Sequence, residues 1–104
     1  MRPFALFVLF LAGAVGSAFA ADAAAGKAVY SKRCQACHGP AGAGNPAVAK
    51  MMGVTMKPLS SGDVQSKSDA DLKNVIINGT GKMKPVKLTD PEAANVIAFI
   101  RTLK

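Results

Sequence analysis

The chain has 104 residues, with 13 Lys and Arg against 6 Asp and Glu, so it is small and basic at a formal net charge of +7. That balance suits an anionic membrane, an acidic protein or nucleic acid, but beyond position 20 only Tyr30 and Phe99 are aromatic, which excludes a base-stacking surface. Two cysteines and one histidine also fall short of a closed structural zinc site.

Residues 1–20 read as an export signal. Arg2 gives a positive start, residues 4–15 are almost wholly apolar, and Ala18-Phe19-Ala20 puts small residues at the two positions a signal peptidase inspects. Cleavage is expected after Ala20. The apolar run is shorter than the about 20 residues that span a bilayer, and no cysteine lies at the cut to carry a lipid. An uncleaved anchor is the alternative. Removal leaves 84 of the 104 residues, Ala21 to Lys104, as one domain with 12 basic and 6 acidic side chains. Export again argues against nucleic acid as a partner.

Residues 23–33 lack proline and are rich in helix formers, so a helix is predicted to run directly into Cys34. Gly26 costs that helix about 1 kcal/mol relative to Ala, a cost explained if a second helix approaches closely there. Cys34-Gln35-Ala36-Cys37-His38 follows, holding both cysteines and the only histidine. Residues 39–46 are Gly, Pro, Ala and Asn, a loop. Asn45 and Pro46 then form an N-cap and a first helical position, for a helix over 46–52 stopped by Gly53. Residues 55–68 carry Pro58 and Ser60-Ser61-Gly62 without an apolar period, and read as a loop with Leu59 its most buried member.

Ser68-Asp69-Ala70-Asp71 starts another helix, with Leu72, Val75 and Ile76 on one face and Gly79 as its stop. Residues 78–88 form a glycine- and lysine-rich loop around Met83, expected to be exposed. Thr89 and Glu92 fit a capping box, and Asp90 with Pro91 an alternative cap one residue later. Ala93, Val96, Ile97, Ile100 and Leu103 give the last helix an apolar face. No stretch alternates as a strand. The fold class is all-α, three to four short helices with long loops.

C-x-x-C-H is the attachment sequence of a c-type haem. Each thiol can add to a porphyrin vinyl group, and His38 then faces the iron. A thioredoxin-like pair would need a preceding strand, and none is predicted. A covalent haem would also staple a domain too small to rest on its core alone, so the haem-free chain is expected to be largely unfolded. A metal-bound His donates its other ring N–H to an acceptor, and the Pro46 carbonyl is the candidate. With no second histidine, a Met thioether is the leading sixth ligand, and His/Met ligation raises the potential. Met51 and Met52 come too soon after His38 to reach the opposite face. Met83, 45 residues on and between glycines and Pro85, is preferred, with Met56 the other possibility.

On these residues the chain resembles small bacterial class I cytochromes c over nearly all of residues 21–104. Cys34, Cys37 and His38 match the attachment motif, Gly26 and Tyr30 the glycine and aromatic of the N-terminal helix, and Val96 and Phe99 the pair on the C-terminal helix. The resemblance implies a cytochrome c-like fold in which those two helices cross, with Met83 as distal ligand. Nothing in 53–68 has a clear counterpart.

An iron with two protein ligands exchanges one electron and takes no substrate. The expected function is that of a soluble, monomeric periplasmic electron carrier, not an enzyme, with no stable membrane insertion. Lys82, Lys84 and Lys87 around Met83, with Lys32 and Arg33 ahead of Cys34, would steer an acidic redox partner to the haem edge. The alternatives are a haem sensor or haem enzyme with a labile Met, or a cytochrome subunit fixed to one redox complex.

Overall fold

Four of the helices begin at a side chain that replaces a missing backbone partner. In the computed structural model, which describes residues 21–104, Asp22 caps α1 (Ala23–Arg33) by accepting from the Ala24 and Ala25 amides. The short α2 (Gln35–His38) follows after Cys34 alone. Asn45 caps α3 (Pro46–Met52), which ends at Gly53 in the left-handed conformation at φ 66°. Ser68 caps α5 (Asp69–Asn78). Thr89 caps α6 (Asp90–Arg101) with the reciprocal Glu92 bond of a capping box, so Thr89 rather than Asp90 is the cap. No strand forms among the described residues; one isolated bridge joins Thr80 and Met83. The expected signal at 1–20 lies outside the described residues.

The core is built where the two ends of this region meet. Tyr30, Leu72, Ile76, Val96, Ile97, Phe99 and Ile100 form one buried cluster, and α1 against α6 is its most heavily packed pair of helices. Gly26 is where they touch. A Cβ built there would collide with the Asn95 carbonyl and lie 2.9 Å from the Val96 nitrogen. Beside it the Asp22 amide donates to Asn95 Oδ1 at 2.8 Å. Tyr30 and Phe99 stack tilted, ring centroids 5.0 Å apart and planes at 50°, an arrangement worth about 1 kcal/mol beyond its buried area.

Residues 55–68 are not a loop throughout: they contain α4 (Gly62–Gln65), a single turn with no side-chain cap. Its support comes from far away in sequence. Gln65 Nε2 donates to the Leu59 and Ile100 carbonyls at 2.9 and 3.0 Å. Arg101, at the end of α6, donates to the Gln65 and Lys67 carbonyls at 3.0 and 2.6 Å and to Asp69 at 2.8 Å. Leu59 is half-buried against the core, as expected.

Asp69 is 75% exposed, so its ion pair with Arg101 adds little. The two carbonyl bonds matter more, each worth about 1 kcal/mol. Arg101→Ala is therefore expected to lower the unfolding free energy by about 2 kcal/mol, read as a lower denaturant midpoint. An unchanged midpoint would show that the 55–68 segment is held by packing alone.

Candidate haem site

Cys34 ends α1 and opens α2, with φ −125° and ψ −32°, which breaks the helix and turns the next four residues onto a new axis. Its carbonyl accepts from the Cys37 and His38 amides at 3.2 and 2.9 Å, so Cys37 lies one turn beyond Cys34 and His38 directly after it. Cys34 is half-buried against the core and Cys37 exposed, both as free thiols.

The loop after His38 clamps this turn. Gly44 donates to the His38 carbonyl at 2.7 Å and Asn45 to that of Cys37 at 2.9 Å. Asn45 Nδ2 reaches the Ala36 carbonyl at 3.1 Å. Asn45 thus serves both as the cap of α3 and as a brace for the C-x-x-C-H turn. The composition of residues 39–46 gave no hint of the second role. Gly39, at φ 79°, brings its carbonyl to the Tyr30 hydroxyl, which donates at 2.5 Å. Burial, with the neighbouring Cys34 charge adding and the Gly42 amide opposing, pushes Tyr30 up to about 12. The phenol therefore remains a neutral donor to that carbonyl.

Burial lowers the His38 pKa, keeping the imidazole neutral, the form that can bind a metal. Its Nδ1 is buried without a hydrogen-bond partner among the described residues. The expected bond from His38 Nδ1 to the Pro46 carbonyl is therefore not made; Pro46 opens α3 as its first residue. Burial also raises the Cys34 thiol, against the opposing charge of Arg33.

Met83 stands on the loop between α5 and α6. It exchanges backbone bonds with Thr80 at 2.8 and 3.0 Å, and Val86 ties the chain back to the Ile76 carbonyl at 2.8 Å. Gly79 at φ 77° allows this tight return; a Cβ there would sit 2.9 Å from the Pro85 nitrogen. Met83 is half-buried against the same core cluster as Cys34, not exposed as its lysine-rich surroundings suggested. Leu59, Val64, Val86 and Leu88 also border the cluster. Met56 lies elsewhere. A Cβ built on Gly44 would meet the Met56 Cβ at 3.2 Å and its sulfur at 3.8 Å, so Met56 packs on the loop bonded to His38. Met51 is 78% exposed.

Residues 21–100 match the family model described as cytochrome C oxidase, cbb3-type, subunit III. Cytochrome c-554(547) of Halothiobacillus neapolitanus is 35% identical over 82% of this chain and 100% of its own length. Cytochrome c-555 of Chlorobaculum tepidum is 36% identical over 82% of this chain and 80% of its own, and cytochrome c6 of Picosynechococcus is 36% identical over 92% and 86%. The solved structure of the KustC0563 c-type cytochrome superposes with a TM-score of 0.65 at 26% identity, covering 76% of this chain and 96% of that one.

The chain belongs to the c-type cytochrome family. It is an electron-transfer protein rather than an enzyme, and it carries covalently bound haem c, for which its two thiols suffice once. The residues of this cytochrome fit that group. Two free thiols lie one turn apart, a neutral imidazole follows with a buried ring nitrogen lacking a partner, and half-buried apolar side chains border the core beside a thioether. No helix among the described residues is long and apolar enough to cross a membrane.

Proposed function

We propose that this cytochrome is an exported, periplasmic electron carrier in which Cys34 and Cys37 hold the haem by thioether bonds and His38 and Met83 are the axial ligands. The observation that carries this reading is the pairing of Met83 with Cys34 on one core, while Met56 packs on the loop bonded to His38. The family match begins at residue 21, which supports cleavage after Ala20 and a mature domain of 21–104.

The bound haem supplies reversible one-electron exchange. The protein does the rest. Cys34 and Cys37 fix the group to the α1–α2 corner, and the Asn45 and Gly44 bonds hold that corner in one geometry. His38 binds as the neutral imidazole. Met83 would supply the second protein ligand to the iron, which would leave no open position for a substrate. Tyr30 with the half-buried Leu59, Val86 and Leu88 gives the core that Met83 borders its apolar lining.

The partner is a redox protein with an acidic docking surface. Glu92 supports the convergence of the two basic sets. Its bonds to Thr89 lower its carboxyl most, and the charges of Arg33 and Lys32 lower it further. Arg33 and Lys32 are thus near enough for their charge to be felt at Glu92, in the first turn of α6, and the loop carrying Lys84 and Lys87 leads into that helix. Electron transfer to an acidic partner is expected to slow as ionic strength rises, by roughly tenfold between low and physiological salt. Stopped-flow rates across a salt series check this, and a flat profile would remove the acidic partner. A visible spectrum in both redox states tests the ligation, through the sulfur–iron band of the oxidised form.

A further inference from the structure

The Met83 loop is held from a second side. Its backbone bonds run within the loop or back to α5. Lys82 instead reaches α3, where its ammonium donates to the Met52 carbonyl at 2.5 Å, between residues 30 apart in sequence. The acceptor is one that the end of α3 leaves open. Gly53 turns its own N–H back to Ala49 and Lys50, and Val54 bonds Ala49 at 2.9 Å. This turn serves the earlier carbonyls and gives that of Met52 no partner. A cation suits that end of a helix.

We propose that Lys82 is a positioning residue. It straps the Met83 loop to the end of α3 and so keeps Met83 on the iron, slowing its replacement by outside ligands. This rests on Met83 being the axial ligand. Lys82 thereby differs in role from Lys84 and Lys87, whose charge faces a docking partner. The strap joins the chain before the site's last loop to the loop itself, so its loss should loosen Met83 without melting the α1–α6 core.

The test uses the oxidised, haem-loaded protein with cyanide as probe. Lys82→Ala is expected to bind cyanide about threefold to tenfold faster, the loss of one hydrogen bond to a charged donor. Its sulfur–iron band should bleach at a lower temperature while the helical circular dichroism melts as before. Lys82→Arg, which still donates, should restore most of both. Lys84→Ala controls for charge. Lys84→Ala removes the same charge from the same loop, so an acceleration confined to Lys82→Ala cannot come from charge. A wild-type cyanide rate in Lys82→Ala, or equal acceleration in Lys84→Ala, overturns the strap. Met83→Ala separates the two levels. If it keeps the band and the wild-type cyanide rate, the ligand assignment itself fails; if it loses both while Lys82→Ala behaves as wild type, only the strap fails.

Discussion

Met83→Ala is expected to abolish the sulfur–iron absorption band and to lower the reduction potential by a sizeable fraction of the roughly 0.8 V over which axial ligands move haem potentials. The argument is one of position. The chain beyond residue 20 offers four methionines. Met51 is 78% exposed, and Met52 is the last residue of α3. Met56 packs on Gly44, whose amide holds the His38 carbonyl. Of the four, only Met83 packs half-buried against the core cluster that Cys34 also borders, its turn closed by the Thr80 bridge. Met56→Ala should therefore leave both band and potential close to wild type. The reduced Met83→Ala protein should also bind carbon monoxide readily at neutral pH, where the wild type binds little. If the band survives in Met83→Ala and vanishes in Met56→Ala, the ligand assignment is wrong.

Gly26→Ala is expected to destabilise the haem-loaded protein by about 3 kcal/mol, at the upper end of the cost of overpacking. Two effects oppose each other. Alanine is the better helix former by about 1 kcal/mol, which taken alone predicts stabilisation. Against it, the new methyl would collide with the Asn95 carbonyl and lie 2.9 Å from the Val96 nitrogen. Both are backbone atoms of α6, and neither can rotate away as a side chain could. Relief requires the two helices to separate, which would disturb Tyr30 against Phe99 and the Asp22–Asn95 bond. The collision wins. Gly26→Val should fall further, beyond what a domain of about 5–15 kcal/mol readily tolerates. The measurement is the denaturant midpoint, with an unchanged m-value locating the effect in the folded state. An alanine variant as stable as wild type would mean the helices do not depend on this contact.

What was legible in the sequence was local. Asn45-Pro46, Ser68 and the Thr89–Glu92 box sit within a few residues of the amides they satisfy, so α3, α5 and α6 could be bounded from composition and spacing. The Cys34–His38 turn was legible for the same reason. The short α4 was not. It has no side-chain cap and no apolar period, and its support comes from Ile100 and Arg101, more than thirty positions away. The burial of Met83 was hidden in the same way. A methionine among lysines reads as exposed until Val86 is seen to bind Ile76 and fold the loop inward. Pro46 was legible only as a helix start; the path of the loop after His38 decides which carbonyl its Nδ1 reaches, and composition does not carry that path.

The meeting of α1 and α6 also governs how the chain reaches its fold. The Asp22–Asn95 bond spans 73 positions, nearly the whole of the described region. Contacts that join the two ends make contact order high, and loop-closure entropy must be met before they form. The core cluster draws on α1, α5 and α6, so it is incomplete until α6 joins. Until then Cys34 and Cys37 stay on an open strand of polypeptide, reachable from all sides. The topology thus leaves an interval in which the thiols can be modified before the fold closes over one of them.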